Sequence, residues 1–150
     1  MRYWLMKSEP DTFSIDTLKA RKTEPWNGVR NYQVRNMMVN EMAPHDLAFF
    51  YHSNCKTPGI VGTMEIISSA YPDLTAQDPN SPYFDPRSTI DNPRWYCVDV
   101  KFVKKFNAII SLESLRHTPE LEGMMVLRKG SRLSVTPVSQ KEWERVVRLL

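Results

Sequence analysis

Residues 26–36 bring tryptophan, tyrosine, a glycine, two arginines and several carboxamides into one short stretch. That mixture suits a flat, hydrogen-bonding ligand attached to an anion. A nucleobase with its phosphate is such a ligand: aromatic rings stack on its faces, Asn and Gln side chains read its edges, and Arg neutralises its backbone. Gly28 permits a left-handed turn or a close backbone approach, and the amides at the start of a following helix can meet an anion.

Two further clusters carry compatible chemistry. In Lys7-Ser8-Glu9-Pro10, Ser8 can hydrogen-bond a base, Glu9 can accept from an exocyclic amine and Lys7 can contact phosphate. Tyr51-His52-Ser53-Asn54 lines up four hydrogen-bonding side chains where a strand should end. His52 has no carboxylate or cysteine partner in sequence that would make it a catalytic base. A phosphate-binding glycine loop, a nucleophile elbow, a dinucleotide fingerprint and a metal-spaced His/Cys cluster are all missing, so neither a catalytic residue nor a metal or cofactor is expected.

These residues need elements to position them. Strand-like runs fall at 3–6, 47–51, 60–67, 95–103 and 132–135; in the fourth, Tyr96, Val98, Val100 and Phe102 alternate with more polar neighbours. Ser139 with Glu142 forms a capping box, and Trp143, Val146, Val147 and Leu150 then share a helical face. An apolar residue before a serine cap, with another five positions on, recurs as Phe13-Ser14 with Leu18 and as Ile110-Ser111 with Leu115. Val34, Met37 and Met38 place a further helix from near Asn31 to about Met42. Strands separated by short helices predict an α+β domain on a curved or closed sheet. Between Ala70 and Trp95 five of the eleven prolines interrupt the pattern, leaving a long loop that carries Tyr83, Phe84 and Asp85. Loops of this length inside small domains are commonly functional.

The whole chain bounds the partner. Its 150 residues, 41% hydrophobic and 25% charged, suit one soluble domain with a sizeable core. No apolar run approaches the roughly 20 residues of a membrane helix, and Met1-Arg2 leads directly into a strand, so the expectation is a cytoplasmic protein without a membrane partner. Cys55 and Cys97 lack disulfide or zinc spacing. The net charge of +3 is uneven: residues 1–40 carry +3 and residues 101–150 carry +5, whereas residues 41–100 carry −5. Both ends of the chain therefore favour an anionic partner.

The segments 6–10, 26–36, 50–54, 58–62, 83–86, 95–102 and 132–138 resemble, in order, those of the EVE domain family. The resemblance implies a PUA-like fold, a small mixed β-barrel flanked by short helices and related to YTH and ASCH domains. It also implies a reader of modified bases in DNA or RNA, of the methylated or hydroxymethylated cytosine class, with the base flipped into an aromatic-lined pocket. Carried onto this chain, the pocket comprises Ser8, Glu9, Trp26, Asn27, Gly28, Val29, Arg30, Asn31, Tyr32, His52 and Ser53, with Tyr83 and Asp85 closing it. Val34 stands where the family has alanine and Phe84 where tyrosine is common; the first lies on a packed face, the second lacks a hydroxyl.

A mechanism follows in which the base stacks on Trp26 or Tyr83 while Lys7, Arg30, Arg35, Arg128 and Lys129 neutralise flanking phosphates. The rival is a small ASCH-like hydrolase of modified nucleosides using Lys7, Ser8 and Glu9, although consecutive strand residues point to opposite faces. A monomer is the default, since no coiled-coil repeat or swapped element is apparent.

Overall fold

The computed structural model describes residues 1–150. A mixed sheet is its frame, formed by β1 (Tyr3–Ser8), β2 (Thr23–Trp26), β3 (Leu47–His52), β4 (Gly59–Ile66), β5 (Tyr71–Pro72), β6 (Tyr96–Ser111) and β7 (Val135–Val138). Strand order is β2-β6-β4-β3-β1-β7, with β5 paired to β6 off this path. Only β1 and β3 run parallel, from Tyr3 opposite Leu47 to Ser8 opposite His52. Their connection carries α1 (Ile15–Arg21), β2 and α2 (Tyr32–Asn40), so the region richest in polar chemistry is folded against one face of the sheet.

The α+β expectation holds, but the sheet stays open, with β2 and β7 as its edges. Both edges contain a proline, Pro25 and Pro137, which cannot donate to a ladder and is tolerated where only one neighbour is bonded. Those prolines concealed β2 and helped displace β7 in the sequence: the strand expected at 132–135 lies at Val135–Val138, opposite Tyr3 to Met6. The fourth expected strand extends as β6 to Ser111, with register shifts opposite β4 between Ile60 and Met64.

Core residues lie on both sides of the sheet, which explains the nearly continuous burial of β1, β3 and β4. One side joins Trp4, Met6, Phe50, Met64 and Val98 to Leu18, Trp26, Val34 and Met38. The other joins Leu5, Phe49, Tyr51 and Ile60 to α3 (Leu112–Arg116) and α4 (Gln140–Val147) through Leu115, Trp143 and Val146. Phe49 and Trp143 stack with ring centres 3.9 Å apart. All three expected serine caps form, and the Ser139–Glu142 box closes in both directions at 3.1 and 2.9 Å. Val147 and Leu150, expected on the buried face of α4, are exposed. No helix is long and apolar enough to cross a membrane.

Candidate nucleic-acid interface

Where β2 ends and before α2 begins, the chain turns at Gly28, whose φ of +83° suits glycine. The ring of Tyr83 lies against this turn: a side-chain carbon at position 28 would come within 2.8 Å of it. Glycine is needed twice over, for the turn and for the contact. Beside the turn is a hollow of about 530 Å³, a size that holds small ligands. Lys7, Ser8, Glu9, Trp26, Asn27, Gly28, Val29, Arg30 and Tyr83 all line it. Three distant segments named from the sequence thus meet in one place.

The turn is held by a residue that sequence reasoning missed. Asp73, 1% exposed, accepts from the Gly28 amide at 2.9 Å and the Arg30 guanidinium at 3.1 Å, as well as from Thr75. Burial pushes the Asp73 carboxyl up, but these hydrogen bonds outweigh it and hold the group below the ordinary carboxylate value. Arg30 also donates through Nε and Nη2 to the Tyr83 carbonyl oxygen, at 3.0 and 2.6 Å, and through Nη1 to the Val29 carbonyl oxygen. Its guanidinium lies 5.7 Å from the Tyr83 ring centre and 5.5 Å from that of Trp95. Arg30, expected at a phosphate, spends its donors on fastening the proline-rich loop to the Gly28 turn.

The opposite wall is more polar. Ser8 donates to the Phe13 carbonyl oxygen at 2.7 Å, and Glu9 accepts from Asn54 at 2.9 Å. The Lys7 ammonium lies 6.0 Å from the Tyr51 ring centre, takes part in no ion pair, and is drawn below the ordinary lysine value by burial. Lys7, Ser8 and Glu9 thus each have a different partner, although all three line the same hollow. Ser134, absent from the expected set, completes this wall and pairs through its carbonyl oxygen with the Lys7 amide at 2.7 Å. Arg128 and Lys129 are exposed in the segment leading to it.

Trp26 is 7% exposed, with Phe13 and Phe50 set edge-on to it at 5.9 and 5.4 Å. It forms buried floor, which leaves half-buried Phe13 and Tyr83 as the accessible rings, of which Tyr83 is the one set against the Gly28 turn. Asn31, Tyr32, Arg35, His52, Ser53 and Asp85 do not line the hollow. Asn31 caps α2 by accepting from the Val34 amide. Tyr32 stacks outside on Trp95, and Arg35 covers Tyr32. His52 accepts at Nε2 from the Ile15 amide, a role for neutral imidazole that matches a value lowered by burial and only partly restored by Asp16. The Ser53 amide pairs with the Ser8 carbonyl oxygen. Asp85 is buried and receives the Trp95 indole N–H at 2.8 Å. With Arg87 also donating, its carboxyl is held down at about 2. These residues support the site's elements from behind or from the side, because capping and loop anchoring need the same polar side chains that recognition does.

An α+β fold with a mixed sheet, two-sided core and aromatic-floored hollow at the β2–α2 turn defines the class as PUA-like. The chain belongs to the EVE domain family, whose model matches residues 2–149. Human thymocyte nuclear protein 1 is 45% identical over 98% of this chain and 73% of its own length. A Pseudomonas syringae protein of known crystal structure superposes with a TM-score of 0.95 at 46% identity, covering 98% of both chains. The human THYN1 protein, solved in complex with DNA containing 5-methylcytosine, superposes with a TM-score of 0.92 at 43% identity, covering 99% of this chain and 97% of that one. The cytoplasmic expectation is overturned by relatives whose shared name is that of a nuclear protein. The features behind that expectation, apolar runs too short for a membrane helix and a strand close to Met1, do not distinguish a nuclear from a cytoplasmic protein.

Proposed function

We propose that the protein is a non-catalytic reader of DNA carrying a methylated or hydroxymethylated cytosine, with the modified base flipped into the hollow between the Gly28 turn and the Lys7–Glu9 wall. The observation that carries this reading is the accessible ring of Tyr83, locked against Gly28 beside a Trp26 floor. A similar human protein binds DNA with 5-methylcytosine, which supports the ligand class.

In this reading Tyr83 stacks on the base, Ser8, Glu9, Asn27 and Ser134 offer hydrogen bonds to its edge, and Val29 and Trp26 supply apolar contact. Lys7, Arg128 and Lys129 meet the flanking phosphates; a half-buried ammonium without an acidic partner gains most from an arriving anion. Flipping costs a few kcal/mol and stacking returns about 1 to 3 kcal/mol per base, so base and backbone contacts are needed together. Burying one methyl group contributes only about 0.8 kcal/mol, or roughly fourfold in affinity. Stronger discrimination requires a polar group that the unmodified base leaves unsatisfied.

The test is amide chemical-shift mapping with a short duplex bearing one 5-methylcytosine. The largest shifts should fall at Ser8, Gly28, Tyr83 and Ser134. Shifts concentrated elsewhere, with these four unmoved, would overturn the assignment.

A further inference from the structure

A column of stacked rings and cations runs outward from the pocket wall. Arg30 lies between Tyr83 and Trp95, Trp95 stacks on Tyr32 with ring centres 4.6 Å apart and planes at 26°, and Arg35 caps Tyr32 at 4.6 Å. The outer end is exposed: Tyr32 is 45% accessible, the Arg87 side chain 65%, and Ile90 at the adjoining turn 85%. Three arginines converge there. Arg35 donates to the Arg94 carbonyl oxygen at 2.9 Å, Arg94 donates to the Arg87 carbonyl oxygen at 3.1 Å, and Arg94 Nη1 lies 3.4 Å from the Tyr32 hydroxyl.

We infer that this face, formed by Tyr32, Arg35, Arg87 and Arg94, is a second nucleic-acid contact that grips the phosphodiester backbone away from the flipped base. The one carboxylate in direct contact with the group, Asp85, pairs with the Arg87 guanidinium through Nε alone, at 3.3 Å, while Arg35 and Arg94 around the Tyr32 ring have no acidic partner, so the face keeps positive charge for an arriving anion. Guanidinium groups match phosphate oxygens in two-point geometry, and an exposed ring between them can pack on a sugar or an unstacked base. Four steps of 4.6 to 5.7 Å separate Arg35 from Tyr83, a span covered by about six base pairs at 3.4 Å rise. One short duplex therefore reaches both places. The inference rests on the pocket being a nucleic-acid site, yet it concerns contacts that do not depend on the mark.

The experiment measures affinity for unmodified and 5-methylcytosine duplexes of one sequence across a salt series, for the native protein and Arg35→Gln/Arg87→Gln. Two lost phosphate contacts should lower the slope of log affinity against log salt by about 1.8 on both duplexes, with the ratio between them unchanged. A folded double variant with an unaltered slope overturns the inference. Should the double variant unfold, Arg87→Gln alone, at the more exposed position, should lower the slope by about 0.9, and no change there overturns it equally. A native protein that ignores the mark while the slope still falls would leave this face standing and remove the pocket reading instead.

Discussion

Two hollows of nearly equal size lie on this protein, about 530 Å³ beside the Gly28 turn and about 470 Å³ between Lys56 and His117. Both contain cations. The second is walled by Lys56, Ser111, Glu113, Arg116 and His117, with Leu112 as its one large apolar side chain. Its one aromatic ring is the small imidazole of His117, whose Nδ1 pairs with the Glu113 carbonyl oxygen at 2.8 Å, and Ser111 is occupied in capping α3. The first sets Phe13, Trp26 and Tyr83 around its interior; Arg30, held by Asp73, fastens the Tyr83 backbone, and the Tyr83 ring rests on Gly28. On the proposed reading volume and charge are poor guides to recognition, and what separates the two is a stacking surface whose orientation is set before the ligand arrives, so that little ordering cost would remain at binding.

The largest expected effect distinguishes floor from rim. Trp26→Ala removes a buried ring packed on Phe13 and Phe50 and should lower unfolding free energy by about 3 to 5 kcal/mol in urea titrations. Arg116→Ala, in the other hollow, should stay within about 0.5 kcal/mol of the native value. Tyr83→Ala is the cleaner probe of binding: loss of stacking should weaken affinity for modified DNA by about 1 to 3 kcal/mol, measured by fluorescence anisotropy. A loss that large in Arg116→Ala would erase the distinction between the hollows.

Gly28→Ala sharpens the role of preorganisation. A left-handed residue other than glycine costs about 1 to 2 kcal/mol, and the added methyl must also displace the Tyr83 ring. Both a reduced melting temperature and poorer binding of modified DNA are expected; normal binding would show that the Tyr83–Gly28 contact is dispensable. The smallest effect is pH-dependent. Asp85 titrates at about 2 when folded against an ordinary 3.8, so its contribution is present above about pH 4 and is lost as pH falls towards 2. Asp85→Asn should make stability less dependent on pH across that window, and an unchanged acid profile would contradict the hydrogen-bonding role assigned to it.

Local signals made much of this legible. Serine caps at 14, 111 and 139 announced three helices because capping is a short-range device, and alternation announced β6. β2 was hidden because Pro25 and a run of only four residues resemble a loop, and sheet closure depends on partners far along the chain. Glycine, tryptophan and arginine types marked the Gly28 segment correctly as unusual. Sequence alone could not divide its residues between lining and scaffolding: Asn31 serves a helix cap and Arg30 a buried aspartate 43 positions away. Asp73, before the short helical turn Leu74–Gln77, carried a detectable cap pattern with Thr75, but nothing local tied it to Gly28.

The most direct measurement is a competition between two DNA duplexes of one sequence, one carrying a single 5-methylcytosine, for the native protein and for Tyr83→Ala. Native preference for the modified duplex by about fourfold or more, lost in Tyr83→Ala, is the result predicted for a base-reading pocket. Equal affinity of the native protein for both duplexes, or a preference that survives in Tyr83→Ala, would contradict it.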